Sequence, residues 1–194
     1  MSLKKIAISF CFVILVGNLE AQVPYYLKTS KMTVAGTSTL HDWVSDVTKM
    51  EWTSQLLVEN NVISKVSSAR VSIPVASIKS TKGKMMDSKT WEAFNYEKNP
   101  NIVFQLSGAV VNPNQIQATG TLSMAGASKP IQLTVKTKML SNGEVQLTGS
   151  YKLNMKDYKM ETPTAMMGTI KVGEEITVEF DLTISANNAL SNSK

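Results

Sequence analysis

Cysteine and histidine are nearly absent from this chain, which contains one of each among 194 residues. The cysteine, Cys11, lies in an N-terminal segment that we expect to be removed. Disulfide bonds, thiolate nucleophiles and cysteine metal sites are therefore excluded from the mature protein, whose stability must come from a packed apolar core. The formal net charge of +5 is small and forms no basic stripe, so nucleic acid is not an expected partner.

A secretory signal peptide is predicted for residues 1–21. Lys4 and Lys5 form a short basic stretch, residues 6–16 are apolar but too few to span a bilayer, and Ala21 supplies a small residue at a cleavage point. The mature chain would then act in the periplasm or as a secreted protein.

Alternation of apolar and polar residues dominates the rest of the chain. Every second residue is apolar or glycine in residues 116–124, 145–155 and 176–184. A period of two is typical of a strand with one dry and one wet face, and dry faces meet either in a sandwich or in a closed barrel. The predicted strands lie near residues 31–37, 50–59, 62–75, 102–106, 116–124, 129–139, 145–155 and 176–184.

These strands predict one all-β domain over residues 22–186, an antiparallel up-and-down β-barrel of about eight strands with one short helical insertion. At this strand number a closed barrel encloses either side chains or one slim ligand. Residues 187–194 are polar and are predicted to form a flexible C-terminal tail.

The β pattern breaks in residues 77–100, which are polar and rich in lysine. Asp87 or Ser88 is predicted to cap a short helix there. Trp91 and Phe94 lie three residues apart, so we expect them to share a helical face and to close an apolar opening.

Catalytic residues and metal ligands are not predicted. His41 and Asp42 are adjacent, and adjacent residues of an extended segment point in opposite directions, so they could not orient each other as members of a triad. A metal site built on one histidine without cysteine needs several convergent carboxylates, which the sequence does not place near it. We therefore expect neither an enzyme nor a cofactor.

Several segments resemble, in the same order, motifs of the YceI-like family. They are Ile-Pro-Val at 73–75, Met-Asp at 86–87 before Trp-Glu-Ala-Phe at 91–94, Asn-Pro-Asn-Ile-Val-Phe at 99–104, Gly-Thr-Leu at 120–122 with Lys-Pro-Ile at 129–131, and Asp-Tyr at 157–158 with Val-Gly-Glu-Glu-Ile at 172–176. The likeness covers roughly residues 31–184. It implies a lipocalin-like barrel that binds a polyisoprenoid or a similar long lipid in its interior.

The function expected from this resemblance is that of an exported carrier or binder of a long apolar lipid, such as a polyisoprenoid, an isoprenoid quinone or a fatty-acid-like molecule. Such a tunnel would be lined by aliphatic and aromatic side chains with few polar groups. The residues predicted to contact the ligand are Trp43, Trp52, Leu56, Val71, Ile73, Trp91, Phe94, Phe104, Leu122, Met124, Leu133, Leu147, Tyr151, Leu153, Met166, Met167, Phe180 and Leu182.

One alternative is a β-rich extracytoplasmic interaction or structural domain without a ligand. The inward-facing residues would then fill a solid core, which the alternation alone favours and the family resemblance disfavours. Met166 and Met167, with Met85 and Met86, either form a portal for the lipid or only cap the barrel end.

Two further questions stay open at the level of sequence. Lys79, Lys82, Lys84 and Lys89 surround the helical insertion, where they either make weak contact with an anionic membrane surface or are simply solvated. A monomer and a homodimer are both compatible with the sequence.

Overall fold

A computed structural model of the protein describes residues 22–186. The predicted signal peptide, residues 1–21, and the predicted tail, residues 187–194, lie outside the described residues. The elements are β1 (Val23–Ser38), β2 (Trp43–Val47), β3 (Glu51–Glu59), β4 (Val62–Pro74), β5 (Ile78–Ser80), α1 (Lys84–Phe94), β6 (Asn101–Asn112), β7 (Gln115–Met124), β8 (Ala127–Met139), β9 (Val145–Asn154), β10 (Thr164–Ala165) and β11 (Ile170–Ser185).

Eight of these strands form a closed antiparallel barrel in the order β1-β3-β4-β6-β7-β8-β9-β11, and β11 pairs with β1 to close it. The predicted barrel of about eight strands with one helix is thereby confirmed. The short strands β2, β5 and β10 were not predicted. β2 pairs with the second half of β1, β5 pairs with β2, and β10 pairs with the start of β11.

Tight hairpins with positive φ angles join neighbouring strands. Asn60 and Asn61 (φ 49° and 64°) connect β3 to β4, and Ala125 and Gly126 (φ 50° and 79°) connect β7 to β8. A pair of left-handed residues produces the turn whose twist matches that of the flanking strands. Asparagine and glycine adopt this conformation readily, so the sequence itself favours these connections.

The barrel has two different ends. The hairpin end carries the turns at residues 60–61, 113–114 and 140–144, and the helix end carries α1 and the irregular segments 39–42 and 155–169. Within residues 22–186, no helix combines the length and the apolar composition that crossing a membrane requires.

The start of α1 differs from the prediction. The helix begins at Lys84 and follows Gly83 (φ 103°), which offers no side-chain cap, so neither Asp87 nor Ser88 is the capping residue. Asp87 is instead buried in the first helical turn, where its carboxylate accepts a hydrogen bond of 2.7 Å from the backbone N–H of Ser80. A negative charge in the first turn also suits the helix dipole. Asp87 therefore attaches α1 to β5, beside the barrel mouth.

Candidate ligand-binding site

The barrel encloses an apolar cavity of about 240 Å³. Its walls are formed by inward-facing side chains of the barrel strands, by β2 and by one face of α1. Of the residues that line it, all but Ser45, Ser80, Lys89 and Thr90 have apolar or aromatic side chains. The cavity offers an apolar ligand extensive contact and few directed polar interactions.

The exposure of the inward-facing residues shows how the interior is organised. Val145, at the hairpin end, is 0% exposed and does not border the cavity. Phe104, Leu133 and Phe180 also point inward, yet they are only half-buried, because part of each side chain borders the cavity. The interior is therefore filled around Val145 at the hairpin end and hollow in the middle, and the solid core considered as the alternative is not what the structure has.

Glycines at inward-facing positions contribute to this hollow. A Cβ atom on Gly149 would lie 2.5 Å from the Phe180 ring, and one on Gly120 would lie 2.5 Å from the Phe104 ring. Each phenylalanine thus lies against a strand that has no side chain at the point of contact. The rings take up less of the interior than they would if they were packed over larger residues.

Most residues predicted to contact a ligand border this cavity. The fifteen that do are Trp43, Trp52, Leu56, Val71, Ile73, Phe94, Phe104, Leu122, Met124, Leu133, Leu147, Tyr151, Leu153, Phe180 and Leu182. Trp91, Met166 and Met167 do not border it. The location of the fifteen is established by the structure, and their contact with a ligand stays a prediction.

Trp91 faces away from the cavity, contrary to the expectation that it shares the inner helical face with Phe94. The cavity face of α1 consists of Met86, Lys89, Thr90, Ala93 and Phe94. Phe94 lies at the edge of this face, and Trp91 is rotated about 60° further because a helix turns about 100° per residue.

On the outer side, the Trp91 ring contacts Tyr96 at a centroid distance of 6.0 Å, and Lys79 Nζ lies 4.4 Å from the ring centroid. Trp91 therefore packs with residues of the insertion instead of closing the barrel.

Met166 and Met167 project into solvent at the helix end. Met166 is 73% exposed and Met167 is fully exposed, and both have positive φ angles of 51° and 54°. Met160 and Pro163, from the same irregular segment, line the cavity. Helix α1 has a similar arrangement, since Met86 lines the cavity and Met85 is exposed. Residues 155–169 and helix α1 therefore each have side chains on the cavity wall and side chains on the outer surface.

The lysines around α1 are partly paired. Lys79 lies 3.5 Å from the carboxylate of Asp87, and Lys89 donates to Glu92 at 2.7 Å. Lys89 is also part of the cavity wall, so one cationic group borders an otherwise apolar mouth.

The residues that suggest a catalytic or metal site at first sight do not form one. The exposed His41 places Nδ1 2.8 Å from the backbone carbonyl of Asp42, not from its carboxylate. Ser38 Oγ donates to the carbonyl of His41. In the part of the chain that the structure describes, no group of three or more histidine, cysteine and carboxylate side chains could hold a metal ion.

Several residues of the cavity wall were missed by the sequence analysis. Val178 lies between two residues of the recognised alternation in β11, so the same pattern could have identified it. Met32 and Val34 of β1 follow the same rule. Ser45 and Thr90 carry no such signal, because β2 is short and the inner face of α1 becomes evident only when the helix is seen against the barrel.

Comparison with known proteins gives a consistent result. The family model for the YceI-like domain matches residues 25–184. No curated protein matches the chain significantly. The solved structure of BcnA from Burkholderia cenocepacia has a TM-score of 0.66 at 16% identity, covering 80% of this chain and 96% of BcnA.

Two further solved structures share the fold. A polyisoprenoid binding domain from Saccharophagus degradans, implicated in plant cell wall breakdown, has a TM-score of 0.64 at 12% identity, covering 85% of this chain and 99% of that domain. A YceI protein from Campylobacter jejuni has a TM-score of 0.54 at 19% identity, covering 70% of this chain and 83% of its own.

Proposed function

The chain belongs to the YceI-like family, and from this premise we propose that it is an exported binder or carrier of a long apolar lipid held inside the barrel. The candidate ligand classes are a polyisoprenoid, an isoprenoid quinone and a fatty-acid-like molecule. The domain from Saccharophagus degradans is described as binding polyisoprenoid and shares this fold, which supports the first two classes.

The hollow apolar interior of the barrel is the main support for the proposed lipid binding. Its volume of about 240 Å³ exceeds the roughly 150 Å³ of an engineered apolar cavity that stays dry and binds benzene. Burial of apolar ligand surface contributes about 25 cal/mol per Å². A long hydrocarbon chain can therefore bind tightly here without any directed polar contact.

Binding rather than catalysis is the proposed activity. The cavity wall has few polar groups, and the single histidine is exposed outside it. The predicted signal peptide supports a periplasmic or secreted location for this activity. A carrier in that compartment would exchange lipid with a membrane, and the helix end, with its exposed methionines and lysines, is the proposed side of contact.

Native mass spectrometry of the mature protein, purified from its own host, tests the proposal directly. We expect a copurified lipid mass, which organic extraction then identifies. The matched variants are Leu133→Trp, which fills the cavity from β8, and Gln132→Trp, which adds the same group on the exposed face of that strand.

Leu133→Trp should lose the copurified lipid and Gln132→Trp should keep it. Equal lipid content in the two variants, or a wild-type protein that carries no lipid and takes up none of the candidate classes, would contradict the proposed function.

A further inference from the structure

Strand β9 is paired very differently on its two sides. It pairs with β11 over ten residue pairs, from Asn154↔Glu175 to Val145↔Ile184. It pairs with β8 over five, and this ladder ends at Gly149↔Val135. Beyond that point β8 and β9 both continue as strands toward the helix end without pairing to each other. The barrel wall therefore has a gap between residues 127–134 and 150–154.

The sequence offers a reason for this gap. Pro130 lies in the part of β8 that pairs with β7 but not with β9, and it has no backbone N–H to donate. Proline in a sheet is confined to edges and bulges for this reason. At this end β8 pairs only with β7, so the side that faces β9 behaves as an edge.

A second cavity, also of about 240 Å³, lies at this gap. It is lined by residues 129–131 of β8 and 151–154 of β9, by Asp157 and Tyr158 of the following turn, and by Glu175 of β11. Ile131, Tyr151 and Leu153 line both this lateral cavity and the central one. These three side chains are the partition between the apolar interior and the lateral cavity.

The lateral cavity is lined by a tyrosine, Tyr158, whose side chain is almost completely buried and whose hydroxyl has no protein partner among the described residues. Tyr158 is 2% exposed, and no hydrogen bond joins its hydroxyl to another residue within 22–186. The hydroxyl oxygen is not among the fully buried unpaired atoms of the described residues, so it keeps a small accessible surface through which a ligand atom can reach it. Burial raises the pKa of Tyr158 to about 12, with smaller contributions from Tyr151 and Asp157, so the hydroxyl remains a donor at neutral pH.

The charges around the lateral cavity balance. Lys129 and Lys152 contribute two positive charges, and Asp157 and Glu175 contribute two negative ones. Lys129 Nζ lies 3.7 Å from Asp157 Oδ1, so this pair spans the gap and neutralises itself. An anionic head group would meet no surplus of positive charge here, whereas an uncharged acceptor would meet the Tyr158 hydroxyl.

We infer that the gap between β8 and β9 seats the polar head of an amphiphilic ligand whose apolar tail lies in the barrel, and that the Tyr158 hydroxyl donates a hydrogen bond to it. The head is uncharged and accepts hydrogen bonds, as a carbonyl group of a quinone, an amide or an ester does. The inference rests on the proposed function, since it assumes that a tail occupies the central cavity.

Three probes with sixteen carbon atoms each test this proposed head-group site: hexadecanamide, hexadecyl phosphate and hexadecane. Their affinities are measured by displacement of the fluorescent probe N-phenyl-1-naphthylamine from the mature protein. Tyr158→Phe removes only the hydroxyl and keeps the ring, and Tyr96→Phe is the matched control on an exposed tyrosine. Thermal unfolding by circular dichroism checks that both variants are folded.

We expect Tyr158→Phe to weaken hexadecanamide binding about three- to ten-fold, which corresponds to one hydrogen bond, and to leave hexadecane binding unchanged. Tyr96→Phe should change neither. The inference is overturned if hexadecanamide binds Tyr158→Phe and wild type equally, or if hexadecyl phosphate is the preferred probe. A wild-type protein that binds none of the three probes contradicts the proposed function instead, so the two failures are distinguishable.

The position of the head group has a separate readout. The mature chain would have no other cysteine, so Lys152→Cys at the gap and Lys136→Cys in the paired part of β8 can each carry one environment-sensitive bimane label. Hexadecanamide should change the fluorescence of the label at 152 and not of the label at 136. Equal responses at the two positions would place the head elsewhere and overturn the inference.

Discussion

The hairpin end of the barrel and its middle use the same alternation of residues to different effect. At the hairpin end, Val145 is completely buried away from the cavity and the interior around it is filled. In the middle, Leu133 and Phe180 point inward with the same alternation, yet they border a cavity. A period of two decides on which face a side chain lies, but it does not decide whether the enclosed space is filled. The size of the facing residues and the spacing of the strands decide that.

The largest expected difference between the hairpin end and the middle of the barrel is in the stability lost when a core side chain is truncated. Val145→Ala should lower the free energy of unfolding by about 2–3 kcal/mol, because it leaves a cavity in a filled region. Leu133→Ala should cost only about 1 kcal/mol, because Leu133 already borders empty space and its removal loses fewer contacts. Urea unfolding of the ligand-free protein measures both values. Equal losses would mean that the middle of the barrel is as well packed as the hairpin end.

The second effect concerns exchange of lipid at the two ends. Replacing Met166 and Met167 with aspartate should slow uptake of a pyrene-labelled fatty acid from phosphatidylglycerol vesicles by about five-fold or more, because each new negative charge is repelled by the anionic surface. Val110→Asp is the control, since Val110 is exposed on β6, whose end lies at the hairpin end. Similar rates for both variants would show that the helix end is not the side of entry.

The smallest expected effect is the dependence of the melting temperature on pH. The pKa of Tyr158 is raised by burial from 10.0 to about 12, so the folded state holds this proton more tightly than the unfolded state. Its contribution to stability is complete below pH 10 and is lost as the pH rises toward 12. The melting temperature should fall across this window. Tyr158→Phe should make the fall shallower and Tyr96→Phe should not. The pKa values of Tyr25 and Tyr151 are also raised by burial, so part of the fall should remain.

The long strands were predictable from residue alternation, whereas the short ones were not. In β7, β9 and β11 every second residue is apolar or glycine over nine or more positions, and the structure confirms these strands. β2 and β5 have five and three residues, too few for a period to be recognised. They exist because they pair with each other across 30 residues of intervening chain, which no local pattern reveals.

The inward direction of a side chain was predictable where it follows from the alternation of its own strand. Phe104, Leu122 and Phe180 border the cavity for that reason, and their contact with a ligand stays a prediction. Trp91 was placed wrongly because a helix has no fixed orientation until it packs against something. Met166 and Met167 were expected to contact the ligand at a portal or to cap the barrel end, and two consecutive left-handed residues turn that segment toward solvent.

By itself, the sequence determined the all-β class, the strands that carry long alternations, the inward-facing residues of those strands and the likeness to one family. Only the tertiary structure decided that the middle of the barrel is hollow, that α1 presents Phe94 and not Trp91 to it, and that β8 and β9 separate near Tyr158. The reason is physical. Alternation sets the direction of a side chain relative to its own strand, whereas an enclosed volume or a gap depends on how far apart strands from distant parts of the chain come to lie.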